Sequence, residues 1–422
     1  MTASPLPVDP GFVLDPMSVE FDRDPYPILA RLREHAPVYW WPQGRGWFLT
    51  RHRDVMAVLS DEDTYSPNED HWEHYEAPPQ LADDHPVMRM RDSSILSMEG
   101  ARHARTRKLA FAALSRRAVR SVEPLMESLI EEILAPLRSR GHCDFVRDVA
   151  AVYPVGVISR LLGIPADSER ERHFKDLADN VVVAFNPMTD EATKLRAFDL
   201  MAGYLEEIGE WMEEKRRSPS DDLMTYLVEA EADGDHFHSD EILSLISALL
   251  VAGAETTANS LSFGLLELLR HPDQLERYRE DPSCRENAAY EVVRFEMPGR
   301  FLRRYAKRDA RLGDTEIRKG QALYPSIASA QRDPALIADA DRFDILRRPA
   351  DLSAFGIGRH FCIGAQLARL ELQIGLGHVL ETLPNLELAC GFDEVPFRRN
   401  PVIRGPAALP IRFTAAGAAD TR

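Results

Sequence analysis

Phe355-Gly356-Ile357-Gly358-Arg359-His360-Phe361-Cys362-Ile363-Gly364 sets one cysteine among three glycines, behind an aromatic residue. Directly after it comes a helical-looking run, Ala365-Gln366-Leu367-Ala368-Arg369-Leu370-Glu371-Leu372. Glycine accepts φ > 0 and lets backbone approach a partner closely. A thiol at the mouth of a helix sits where amide N–H groups and the helix dipole favour the anion. The stretch therefore encodes a thiol in a tight, donor-rich loop, with the flat ring of Phe355 seven residues earlier. Such a thiol is a nucleophile, a metal ligand or an inert buried cysteine. The glycine spacing weighs against the inert reading.

Working outward, the chain has 422 residues, 44% of them hydrophobic, and a net charge of -17. That is enough apolar material for a large core. No Gly/Ser linker or low-complexity tract divides it, so one domain over 1-422 is expected, with 1-24 as an extended, Pro- and Asp-rich arm. The acidic balance argues against nucleic acid and anionic membrane as bulk partners. The four cysteines (Cys143, Cys284, Cys362, Cys390) include no C-x-x-C pair, so neither a disulfide framework nor a structural zinc site is indicated. No basic-then-apolar leader is read, and no apolar run is expected to reach the ~18–20 residues needed to span a bilayer. A cytoplasmic location and a monomer are expected.

Other segments carry chemistry. Val38-Tyr39-Trp40-Trp41 and Gly46-Trp47-Phe48-Leu49-Thr50 read as a hairpin. Residues 60–95 read as an acidic loop. From 101 to 122 the sign reverses, with Arg102, His103, Arg105, Arg107, Lys108, Arg116, Arg117 and Arg120 and no acid. This island suits a solvated face, the anionic groups of a cofactor, or an acidic protein. Residues 181–187 read as an apolar turn able to lid a pocket. A long helix is predicted from 242 to 270, capped by Ser239 and stopped at His271-Pro272. Its middle, Ala252-Gly253-Ala254-Glu255-Thr256-Thr257, places a glycine and a carboxylate among apolar turns. Both are locally costly, which marks a functional patch. Glu291 and Arg294 stand at i, i+3 on one helix face.

Taken in order, H-x-x-x-R, A-G-x-E-T-T, E-x-x-R, an R-F meander and F-G-x-G-x-H-x-C-x-G, the chain resembles the bacterial soluble cytochrome P450 family over nearly its whole length. The resemblance implies a mainly α (α+β) P450 fold. Small sheets lie near the termini and a long central helix crosses a haem b. It implies Cys362 as axial thiolate ligand of the iron, with Phe355, Gly356, Gly364, Ala252 and Gly253 around the cofactor. Gly253 would leave room for dioxygen and bend the helix. His103, Arg107, Arg304 and His360 match propionate-binding positions. Glu255 and Thr256 match a proton-relaying acid–alcohol pair. Glu291, Arg294 and Arg342 match a structural triad.

The implied activity is a haem-thiolate monooxygenase that inserts one atom of O2 into a lipophilic small molecule such as a steroid or terpenoid. Electrons would come from NAD(P)H through an external ferredoxin or flavodoxin, docked on the basic face beside Cys362. The pocket candidates are Val182, Phe185, Leu249, Arg300, Phe301 and Leu302. Arg300 is read either as a ligand partner or as a structural arginine. The rival readings are a peroxide-using or isomerising haem-thiolate enzyme, a non-enzymatic haem sensor, and a helical interaction protein with a structural Cys362.

Overall fold

The computed structural model describes residues 12–416, apart from 76–80, 82–84, 115, 167, 186–188, 233–234, 349–352 and 401. The side chains of 113, 116–121, 175, 178, 179, 182, 185, 231 and 232 are also outside the description. Helices dominate. The long helix runs Ser239–Arg270, 32 residues, about 48 Å at ~1.5 Å rise per residue. It starts three residues earlier than the sequence suggested. Its N-cap is His238 rather than Ser239, because the Glu241 carboxylate reaches back to accept the His238 N–H at 3.0 Å. By length and composition this helix is apolar enough to cross a membrane. Here it is the central core element, packed on the helices Tyr153–Leu161, Ala365–Thr382, Arg285–Phe295 and Glu169–Phe185.

Close crossings require small residues. A Cβ on Gly264 would stand 2.7 Å from Leu376 and 3.3 Å from Val292, so three helices meet there without a side chain between them. A Cβ on Gly253 would stand 2.9 Å from Ile158. This corrects the expected role of Gly253: it admits a neighbouring helix. The helix also stays continuous through it.

The predicted hairpin forms as expected, Val38–Trp41 against Gly46–Leu49. It extends into a five-stranded sheet with Ala322–Pro325 parallel to Gly46–Leu49, then Arg304–Ala306 and Tyr65–Ser66. A second sheet joins Glu387–Leu388, Pro410–Arg412 and His142–Asp144. Two expectations are corrected by helices. The 60–95 segment contains the helix Pro86–Asp92, whose Arg91 gathers the loop acids Glu69 (3.0 Å) and Asp70 (3.5 Å). Residues 181–185 end the helix Glu169–Phe185 instead of forming a turn.

Residues 12–24, the described part of the arm expected to be extended, are docked and carry a short helix, Val19–Arg23, which corrects that expectation. Buried Arg300 ion-pairs with buried Asp22 of this arm and donates to the Pro16 carbonyl at 2.7 Å. Arg300 is therefore structural and leaves the substrate-pocket set. Phe301 leaves it as well. It packs edge-on to Trp41, Phe48 and Tyr324, with centroids 5.4–5.8 Å away, in the core under the first sheet.

Where the long helix ends, four chain segments share a buried charge network. Glu267 meets Arg270 at 2.7 Å and His271 at 3.6 Å. Glu296 pairs with Arg404 and, at 3.8 Å, with Arg332. Burial, then the charge of Glu296, pushes the Glu267 carboxyl up to about 7, against the pull of Arg270, Arg332 and Arg404. The folded state thus holds this proton more tightly than the unfolded chain does. The resulting stability is complete below the ordinary carboxyl range and is lost as pH rises through about 7. We expect Glu267→Gln to remove that part of the decline in thermal midpoint between pH 5 and 8. The effect should be on the order of 2–3 kcal/mol at the alkaline end, read by thermal denaturation across pH.

Candidate active site

The cysteine loop takes its shape from two residues in the left-handed region, Gly356 at φ 77° and Gly358 at φ 68°. Between them and the helix Ala365–Thr382, the Cys362 N–H donates to the Phe355 carbonyl at 2.8 Å. The Phe355 and Phe361 rings lie 6.5 Å apart. Gly364 differs from the other two: its φ is −89°, and a Cβ there would meet no protein atom within 4 Å. Cys362 is exposed by surface area, yet protein crowds round its sulfur; that desolvation pushes the thiol up, while the Gly364 amide hydrogen bond and the Arg107 guanidinium pull it down. The backbone therefore supplies what a thiolate needs, and a cation stands close by.

That cation belongs to a cluster. Arg107 and His103 lie on the helix Gly100–Ala113, Arg304 opens the strand Arg304–Ala306, and His360 sits in the loop. Arg107 Nη2 donates to the Phe361 carbonyl at 2.5 Å. The rings of His103 and His360 stack at 4.0 Å. Burial foremost, then His103, Arg304 and Arg107, pulls His360 down to about 3. Burial lowers Arg304 to about 10. His103 Nε2 is buried with no hydrogen-bond partner. Among the described residues, none of the four hydrogen-bonds to a carboxylate. Four buried or half-buried donors that repel one another are a site built for anions. The two propionates of a haem fit this chemistry, and all four sequence-predicted residues are present.

On the long helix, Leu249, Ala252 and Thr256 follow i, i+3, i+7 and so share one face. Ala252 is exposed, while Leu249 and Thr256 are half-buried. Ile363, next to the cysteine, packs on the same apolar cluster as Leu249. The Thr256 hydroxyl donates to the Ala252 carbonyl one turn back. Glu255 stands about 100° further round the helix, with its Oε1 4.0 Å from Arg398. Leu302 is 38% exposed. The side chains of Val182 and Phe185 lie outside the described residues.

The buttress behind the loop is found with one substitution of parts. Glu291 and Arg294 are buried and paired by two bonds, 2.7 and 2.8 Å. Arg294 also donates to the carbonyls of Gln331 (2.9 Å), Ala340 (2.8 Å) and Arg342 (3.2 Å). Arg342 contributes only this carbonyl, since its side chain is 66% exposed and reaches Asp344 at 3.9 Å. The third charge is Arg347, 3.4 Å from Glu291. The backbone turns between 342 and 347, and only the later arginine points back inward. Sequence reasoning missed Arg347. It also missed the Gln331 amide, which donates to Ser353 Oγ at 2.5 Å and so couples the buttress to the cysteine loop.

The basic island proves largely engaged. Arg105 grips Glu241 through two 2.9 Å bonds and Asp235 at 2.5 Å. Arg102 donates to the Asp92 carbonyl at 3.0 Å. Arg359 pairs with Glu62 at 3.3 Å. A cleft of about 310 Å³ beside His360 is lined by Asp61, Glu62, Asp63 and Glu99 as well as Lys307 and Arg359. The side chains of Arg116, Arg117 and Arg120 lie outside the described residues.

A family model for cytochrome P450 matches residues 48–283 and 286–388. The epothilone C/D epoxidase of Sorangium cellulosum is 33% identical over 414 residues, covering 95% of each chain. The vitamin D(3) 25-hydroxylase of Pseudonocardia autotrophica is 33% identical, covering 94% of this chain and 96% of its own. Among solved structures, cytochrome P450 CYP109Q5 from Chondromyces apiculatus superposes with a TM-score of 0.84 at 31% identity, over 96% of this chain and 99% of that one. The chain belongs to the cytochrome P450 family, and its fold is the P450 fold. It is a monooxygenase of haem-thiolate type, with iron and O2 chemistry.

The buttress geometry gives a direct comparison. Arg347→Ala should cost about 1–3 kcal/mol, because it leaves the buried Glu291 charge undercompensated. Arg342→Ala should stay within about 0.5 kcal/mol, because it removes only an exposed side chain. Denaturant midpoints of the haem-loaded protein distinguish the two.

Proposed function

We propose that the whole chain works as one cytosolic unit that binds haem through Cys362 and hydroxylates or epoxidises a lipophilic small molecule. The observation that carries this reading is the convergence of His103, Arg107, Arg304 and His360 beside the cysteine loop. These four groups would hold the propionates by charge-assisted hydrogen bonds, and Cys362 would supply the thiolate to iron. When bound, a thiolate-ligated haem activates dioxygen and favours O–O cleavage.

The remaining work belongs to side chains. Leu249, Ala252 and Leu302 would present an apolar wall to the substrate. The Thr256 hydroxyl can turn from the Ala252 carbonyl toward a reacting oxygen and donate its proton there. Glu255, one residue earlier, can replace that proton. Having both groups favours proton-dependent oxygen use over a peroxide-driven, isomerising or purely sensory role. Two relatives bear the names of an epothilone epoxidase and a vitamin D(3) hydroxylase, which supports a natural-product or sterol-like substrate. A titration of lipophilic compounds, followed by the spin-state shift of the haem band, identifies it.

Cys362→Ser should abolish the reduced-CO band typical of thiolate ligation, and with it turnover. Retention of an unchanged band would overturn the ligand assignment. Electrons would arrive from NAD(P)H through an external ferredoxin or flavodoxin. Beside the cysteine loop, the outward face of Gly100–Ala113 presents the exposed Lys108 and the 49% exposed Phe111. Lys108→Glu should slow reduction at low salt several-fold, and the difference should fade as ionic strength rises. Stopped-flow reduction across a salt series measures it.

A further inference from the structure

Glu255 is only 16% exposed, and the guanidinium facing it comes from far along the chain. Arg398 lies in the carboxy-terminal loop, next to an antiparallel bridge between Phe397 and Pro406. The Arg398 N–H donates to the Gly405 carbonyl at 3.0 Å. Phe397 stacks on Phe263 of the long helix at 6.2 Å. The Arg404 guanidinium covers both rings, at 4.8 and 4.7 Å, while it pairs with Glu296 and donates to the Asp22 carbonyl at 2.8 Å. Arg399 donates to the Met17 carbonyl at 2.5 Å. The arm, the loop and the long helix are thereby locked together, with Arg398 on the side of Glu255.

The side chain of Arg398 is 43% exposed, so its pair with Glu255 contributes little to stability. Position is what the arrangement provides. A carboxylate on a helix has several rotamers, and a cation on a fixed loop selects one of them. We propose that Arg398 is a positioning residue: it holds the Glu255 carboxylate toward solvent, so that a proton passed to Thr256 is replaced from bulk water. The Thr256 O–H bond breaks as its proton leaves, a proton from bulk water is taken up by the Glu255 carboxylate, the O–H bond so formed breaks as that proton passes through bridging water to the Thr256 oxygen, and no electron moves. The proposal rests on the relay reading of Glu255 and Thr256.

The test uses the haem-loaded full chain as wild type, Arg398→Gln, Arg398→Lys and Glu255→Gln. Two quantities are read. The first is the infrared carboxylate stretch of Glu255 in the resting protein, identified as the band lost in Glu255→Gln. The second is product formed per reduced nicotinamide consumed, with the tightest binder from the spin-state titration as substrate. Arg398→Gln should shift the band and lower the ratio about threefold or more, well short of the 10²–10⁴ expected for losing a proton-transfer group outright. Arg398→Lys should restore most of both. Hydrogen-peroxide-driven turnover, which brings its own protons, should survive in Arg398→Gln. If Glu255→Gln lowers the ratio but Arg398→Gln changes neither band nor ratio, Arg398 has no positioning role. A lowered ratio with an unmoved band and a lower melting midpoint means loop damage, and likewise overturns it. If Glu255→Gln leaves the ratio intact, the relay reading fails first, and the role of Arg398 with it.

Discussion

The Arg294 guanidinium is the fixed point of this molecule. It meets both oxygens of Glu291 and three backbone carbonyls of the segment that leads to the cysteine loop. A buried arginine is costly unless its donors are satisfied. Here satisfying them forces the 331–342 backbone to fold round one planar group. The chain thus uses a desolvated charge to specify an irregular path that neither helix nor sheet hydrogen bonding dictates. Gln331 passes the constraint to Ser353, and the loop geometry around Cys362 follows.

A second group of donors meets no carboxylate among the described residues. His103, Arg107, Arg304 and His360 are assembled from one helix, one strand and a loop. Burial first, then neighbouring cationic groups, holds both histidines below their ordinary range, and burial lowers Arg304. The folding energy of the core therefore maintains an electrostatic field suited to anions. Three other arginines do the reverse: Arg105, Arg300 and Arg404 meet carboxylates and tie elements together.

Much of the site was legible because its motifs are local. The glycines that take φ > 0, the thiol three residues before a helix, and the i, i+3 pair Glu291–Arg294 each depend on chain geometry over a few residues. What escaped depended on direction. Gly253 looked like a cofactor-facing gap, yet 100° of helical rotation turns it to Ile158. Arg342 matched a motif by position, yet Arg347 points inward. Arg300 and Phe301 adjoin the expected pocket in sequence, but one is drawn to Asp22 and the other into an aromatic core. Sequence spacing does not say which neighbour a side chain will meet.

The sequence by itself determined the P450 class, the helix-rich fold and the thiol loop, because these are written as short-range patterns of glycine, charge and apolar period. Only the tertiary structure decided which arginines buttress, which clasp the arm, and which one reaches Glu255. Those assignments arise where segments hundreds of residues apart compete for the same buried charge, and that competition is settled by three-dimensional packing.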